Sequence, residues 1–257
     1  TQKWELTYTH TEGGEFQYVV DVQLLPKEAN RENNRQVRAV SVRKEKIRVL
    51  LADSVPRYEF RFLKTLLERE KTVELKTALQ HFPVSREDLF SYDVILFGDM
   101  DLAFLTERSQ QDLREFVNAK SGGLLMIAGT QHNPFDYRGT PLEDLLPVEV
   151  ASNAGPGPAA PLGEGFRPEL TVDGRKGTSI FRLTDNELED QEVWNNLPPL
   201  LWSITSAQLK RGAVAFAVHP QAGSGQQQVP VIAMQRFGGG KVIFHATDET
   251  WRWRYRV

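Results

Sequence analysis

An α/β fold is what the sequence predicts: a mostly parallel sheet with helices on both faces, preceded by a short N-terminal all-β segment. Three observations predict it. Residues 1–45 carry β-rich stretches and no helical pattern; from Lys46 apolar strands alternate with amphipathic helices; and the fourth of these strands is apolar on both faces, as a central parallel strand must be. The chain divides accordingly into segments 1–45 and 46–257.

In the first segment, residues 4–9, 16–22 and 37–42 alternate or cluster β-formers between turns at Glu12-Gly13-Gly14 and over 28–34. Three strands are only part of a β-sandwich, and alone they expose an apolar face and bare edges. They are expected either to pack on the following domain or to pair with a second copy of the chain. In the second segment, residues 47–52 form the first strand, and a helix over 59–70 spaces Phe60, Leu63, Leu66 and Leu67 by threes and fours. Strands over 73–79 and 92–97 follow. A helix over 106–119 turns Leu113, Phe116 and Val117 inward, and Gly122-Gly123 separates it from the fourth strand, 124–129. Residues 151–165, rich in proline, glycine and alanine, form a surface excursion. Further strands are expected over 166–172, 180–183, 213–218, 229–235 and 241–245, the last two joined by a hairpin turn at Arg236-Phe237-Gly238-Gly239-Gly240.

Composition narrows the function. The 257 residues, 40% of them apolar and a quarter charged, suit one large globular domain with a small appendage. A net charge of −3 from 31 basic and 34 acidic side chains creates no field that would gather nucleic acid. The absence of cysteine removes disulfides, thiolate nucleophiles and cysteine-type zinc sites together. No apolar run reaches the roughly 18 residues of a membrane span. The start at Thr1 and the end at Val257 read as those of an excised piece, and the chain is expected to belong to something longer.

Gly238-Gly239-Gly240-Lys241 lacks the serine or threonine and the following helix of a phosphate loop, so it reads as a turn. Ligands of open α/β sheets sit beyond the carboxyl ends of the strands. Four loops converge there. They carry Asp53, Ser54, Arg57, Tyr58 and Glu59; Asp99 and Asp101; Thr130, Gln131, His132 and Asn133; and His245, Asp248 and Glu249. Carboxylates beside a histidine can position water or a metal ion, and the same residues can serve as helix caps. His245 lacks an evident nucleophile to serve, and His219 reads as a loop residue. Trp251-Arg252-Trp253-Arg254 brings indoles and guanidiniums together, either to anchor a sugar, peptide or membrane interface or to cover the end of the sheet.

Ile47-Arg48-Val49-Leu50-Leu51-Ala52-Asp53, Tyr92-Asp93-Val94-Ile95-Leu96-Phe97-Gly98-Asp99, and Leu113 to Val117 running into Ser121-Gly122-Gly123-Leu124-Leu125-Met126-Ile127-Ala128-Gly129 resemble the class I glutamine amidotransferase-like superfamily. Together with the ending Pro230 to Phe244, they look closest to its trehalose-utilisation-type branch. The resemblance covers about residues 46 to 257 and implies a flavodoxin-like fold. It also implies a cysteine on the turn after the fourth strand, helped by histidine and glutamate near the end of the domain. Here that turn reads Gly129-Thr130-Gln131-His132, so glutamine hydrolysis is excluded. Thr130 lacks the small-residue frame of a strained nucleophile elbow. The first 45 residues resemble the tail of an immunoglobulin-like or adhesion-type sandwich, and the combined order looks like the extracytoplasmic, periplasmic-side part of a large membrane-anchored bacterial protein.

The expected function is therefore a non-catalytic ligand-binding or protein-interaction module of an envelope protein. Its site residues are Asp53, Arg57, Tyr58, Glu59, Asp99, Asp101, Gln131 and His132, and it has no cofactor and no resident metal. Its expected partners are a small molecule or peptide, other envelope domains, or a second copy through the N-terminal strands. The alternative is a hydrolase or carbohydrate-modifying enzyme in which His245 with Asp248 or Glu249, or Asp99 with Asp101, activates water, with Thr130 as a further catalytic candidate.

Overall fold

The computed structural model describes Tyr8 and residues 12–23, 34–42, 45–83, 85–155, 165–223 and 228–256. The expected strand over 4–9, Tyr8 apart, the turn over 28–34, Asn34 apart, and residues 156–164 of the expected excursion lie outside the described residues. The chain falls into two units, Thr1–Lys46 and Ile47–Val257. In the first, β1 (Gly14–Asp21) and β2 (Arg35–Val42) pair antiparallel from Gly14 opposite Val42 to Asp21 opposite Arg35. Val19, Val20, Val37 and Val40 of this ribbon are exposed.

The second unit holds an eight-stranded sheet. Its first strands are β3 (Ile47–Asp53), β4 (Val73–Leu79), β5 (Val94–Phe97) and β6 (Gly123–Ile127). They are interleaved with α1 (Tyr58–Arg69), the short α2 (Arg86–Leu89) and α3 (Glu107–Asn118), whose cap Thr106 accepts the Ser109 amide at 3.1 Å. After β7 (Val148–Val150) come β8 (Glu169–Leu170), α4 (Val172–Lys176), α5 (Glu187–Asn196) and β9 (Ala207–Leu209). β10 (Val214–Val218), β11 (Pro230–Phe237) and β12 (Gly240–His245) complete the order β4-β3-β5-β6-β12-β11-β10-β8. The first five run parallel, whereas β11, β10 and β8 are each antiparallel to their neighbour, so the sheet is mixed.

Side-chain alternation assigns the faces. Leu50, Ala52, Ile95, Phe97, Leu124, Met126, Val242 and Phe244 join Leu113, Phe116 and Val117 of α3 in the main core, while Val49, Leu51 and Leu96 pack with Phe60 of α1 on the other face. Leu66, expected inward, is 58% exposed because Phe60, Leu63 and Leu67 already span the stripe facing the sheet. The hairpin between β11 and β12 turns at Gly238, where φ is 57° and an added Cβ would strike Asn118 at the end of α3.

The third quarter departs most from expectation. Residues 180–183 form turns rather than a strand, and 166–172 contribute one bridge at Phe166, the two residues of β8 and the start of α4. α5 was not expected, because Trp194 is its one buried residue and no apolar stripe marks it. Its legible signals are the Asn186 cap and the acids Glu187, Glu189 and Asp190 in its first turn. Among the described residues no helix is long and apolar enough to cross a membrane.

Candidate functional site

Parallel strands end together, so β3, β5, β6 and β12 deliver their following loops to one edge. Arg57, at the start of α1, ties three of them. Its Nε and Nη2 donate to Asp53 Oδ2 at 3.1 and 2.8 Å, and its Nη1 donates to Ala128 O at 3.2 Å and to Asp248 Oδ2. Asp248 Oδ1 accepts from Trp202 Nε1 at 3.0 Å. Asp53 is 2% exposed, and a side chain at Gly98 would overlap its carboxylate. Burial pushes both the Asp53 and the Asp248 carboxyl up, against the lowering charge of Arg57.

Asp99, 3% exposed, closes the loop after β6. Its Oδ1 accepts the amides of His132 and Asn133 at 2.8 and 2.7 Å, and its Oδ2 accepts that of Gln131 at 3.1 Å. Three successive backbone donors thus converge on an internal carboxylate, an anion nest filled by the protein itself. Gly129 has to lack a Cβ, since one would overlap Asp99. Asn133 locks the same loop from below, its Nδ2 donating to Gly98 O at 3.1 Å and Ile127 O at 3.0 Å.

The remaining acids hold the chain after β12. Glu59 accepts from Thr250 Oγ1 and, at 2.9 Å, from the Trp251 amide; burial pushes its carboxyl up. Glu249 accepts the Leu201 amide and, at 3.2 Å, Arg252 Nε. Among the described residues neither Asp248 nor Glu249 bonds to His245, which is 7% exposed with its Nε2 buried and unpartnered. Desolvation lowers the His245 pKa to about 4, so the ring is neutral. His219 is also held neutral by burial, stacked on Phe166 with ring centroids 4.0 Å apart.

At the rim, Asp101 caps the 3-10 turn Leu102–Phe104 by accepting the Ala103 amide at 2.8 Å. His132 Nδ1 meets Asp136 Oδ2 at 2.7 Å, with Asp101 Oδ2 3.9 Å from Nε2. Thr130 is half-buried, and among the described residues no base lies within hydrogen-bond distance of its hydroxyl. Gln131 is exposed, as is Tyr58, at 62%. Among the described residues no group of three histidine or acidic side chains can hold a metal ion.

Sequence reasoning missed Trp202, Asp136, and the buried hydroxyls of Ser203 and Thr247, which have no hydrogen-bond partner among the described residues. The i, i+4 spacing of His132 and Asp136 was legible; the approach of Trp202 to Asp248 was not, lying 46 residues away. Two concavities lie away from this edge. A cleft of about 1180 Å³ is bounded by β8, α4 and α5, and a smaller hollow of about 280 Å³ lies between α1 and the C-terminal 3-10 turn Thr250–Arg256.

No family model matches the chain, and no curated protein does. Among solved structures, it is similar to the exo-β-1,4-mannosidase Op5Man5 from Opitutaceae bacterium strain TAV5 at 12% identity and a TM-score of 0.44, over 79% of this chain and 31% of that one. The mmIFT52 N-terminal domain matches at 14% identity and a TM-score of 0.42, over 79% and 87%. A β-galactosidase from Bacillus circulans sp. alkalophilus matches at 12% and 0.42, over 82% and 30%. The chain therefore spans about a third of the length of either glycosidase.

Proposed function

We propose that residues 47–257 are a non-catalytic class I glutamine amidotransferase-like domain of flavodoxin-like order, serving as a ligand-binding or protein-interaction module. It belongs to a bacterial envelope protein and works on the extracytoplasmic side as part of a longer membrane-anchored chain. The order of the five parallel strands, β4-β3-β5-β6-β12, supports the flavodoxin-like reading, being the 2-1-3-4-5 order of doubly wound sheets. The exposed valines of β1 and β2 support a contact between the first unit and another envelope domain or a second copy.

One observation carries the non-catalytic reading. Acyl transfer from a strand-end nucleophile needs free amide donors at the turn to receive the developing negative charge. At this turn the amides of Gln131, His132 and Asn133 are all given to Asp99. The test is turnover of glutamine, p-nitrophenyl acetate and a panel of p-nitrophenyl glycosides. The expected rate is that of buffer, for the unmodified chain and for Thr130→Ala alike. The hydrolase reading has one observation in its favour, the orientation of His132 by Asp136. Turnover abolished by His132→Gln or Thr130→Ala would establish it and overturn the non-catalytic one.

A further inference from the structure

Glu59 apart, the hollow between α1 and the C-terminal turn is built from side chains that do not join the network at the carboxyl edge. Phe62, Leu63, Leu66 and Trp251 line it. The Trp251 ring stacks on Tyr58 at 4.9 Å and lies within 4° of parallel to Phe62 at 5.8 Å. Arg252 sits over Trp251 at 4.8 Å and Arg254 over Phe62 at 4.9 Å. The ladder is fixed before any partner arrives, because the buried Glu59 carboxylate holds the Trp251 amide and the Thr250 hydroxyl. A rigid aromatic platform loses little side-chain entropy on binding.

Charge completes the picture. Glu59 is the one acid among the lining residues, and both its oxygens are committed inward. Arg69 and Arg254 at the mouth have no carboxylate partner among the described residues, while the nearby Glu68 is taken by Lys64 at 2.7 Å. The opening is therefore apolar at its floor and positive at its rim. At about 280 Å³ it falls just below the roughly 300 to 1,000 Å³ of small-molecule sites, which suits one inserted side chain better than a whole ligand. Tryptophan, tyrosine and arginine are also the residues that dominate binding energy at protein interfaces.

We propose that this surface docks an acidic peptide segment of a partner protein. The segment inserts an apolar side chain against Phe62, Leu66 and Trp251 and sets flanking carboxylates on Arg69 and Arg254. The proposal rests on the binding-module reading and supplies its partner class.

The test is fluorescence anisotropy with a labelled, acetylated hexapeptide carrying Leu-Phe between two pairs of glutamates. Controls have lysines in place of the glutamates, or Gly-Ser in place of Leu-Phe. The expected result is binding of the acidic apolar peptide alone, weakened at least tenfold by Trp251→Ala and by the double variant Arg69→Glu, Arg254→Glu. The double variant, whose substitutions are on the surface, should gain affinity for the lysine peptide, a swap that loss of fold cannot mimic. Absence of binding at millimolar peptide, equal binding of the Gly-Ser control, or indifference to the variants would overturn the proposal. So would self-association in sedimentation abolished by the double variant, because the occupant would then be a second copy. Turnover at the carboxyl edge with peptide binding intact would sink the non-catalytic reading and leave this one standing.

Discussion

The carboxyl edge of the parallel strands and the outer surface of α1 share one residue, Glu59, and treat charge in opposite ways. At the edge the polar groups are matched to one another. Arg57 serves Asp53 and Asp248, Asp99 serves three amides, and Glu249 serves the Leu201 amide and Arg252. On the outer surface, Arg254 stands over Phe62 and Arg69 lines the same hollow, and neither has a carboxylate partner among the described residues. The same residue types thus hold the fold together in one place and stay available to a partner in the other. What separates the two is the count of satisfied donors and acceptors, which residue type alone does not reveal.

That contrast breaks most directly at Asp99. Asp99→Ala strands three amides in a loop where Asn133 is fully buried, and each lost acceptor leaves a desolvation penalty. A loss of about 3 to 5 kcal/mol in urea unfolding is expected, or failure to fold. A loss below about 1 kcal/mol would mean that the loop does not depend on this carboxylate.

Arg57 against Arg254 sharpens the comparison within one residue type. Arg57→Met leaves the buried Asp53 and the partly buried Asp248 without a cation, a loss of about 3 kcal/mol at neutral pH. Without Arg57 their folded pKa values rise further above the unfolded ones. The variant's stability is then fully present below the unfolded carboxylate pKa and is lost as pH rises through the folded values, so its deficit shrinks on acidification. Arg254→Met is expected to change stability by no more than about 0.5 kcal/mol. Equal losses for the two arginines would erase the distinction between edge and surface.

Much of the edge was legible because strands and their following loops are local. The strands of the parallel half and the convergence of Asp53, Asp99 and Thr130 follow from apolar runs and chain direction. The partners were not legible. Arg57 meets Asp248 across 191 residues and Asp99 meets the amides more than 30 residues on, and such contacts leave no periodic trace. The antiparallel half was read less well because its elements are short. β8 has two residues, and α5 turns a single buried tryptophan toward the sheet. Glu249 shows a different limit: its spacing from His245 suits an acid-base pair, yet its carboxylate turns to Leu201 and Arg252.

His245, like the Asn133 Oδ1 and the Thr247 hydroxyl, is left out of the matching of donors and acceptors among the described residues, and replacing it has a small effect at neutral pH. Its Nε2 is buried without a partner among the described residues, so His245→Leu removes an unsatisfied group and adds an apolar one of similar size. The expected change at pH 7 is within about 1 kcal/mol in either direction. Acidification separates the two proteins. The folded-state pKa is depressed to about 4 from 6.5, so between those values the unfolded chain takes up a proton that the folded one refuses. The unmodified chain therefore loses stability from this group as pH falls through that window, by about 3 kcal/mol at its lower end. Asp53, Glu59 and Asp248, with raised folded values, contribute in the opposite direction, but they do so in both proteins and cancel in the difference. Urea unfolding at pH 7, 5.5 and 4.5 should show His245→Leu overtaking the unmodified chain progressively. A constant difference would place the ring in contact with a proton acceptor or with water, and would make His245 a matched member of the edge like its neighbours.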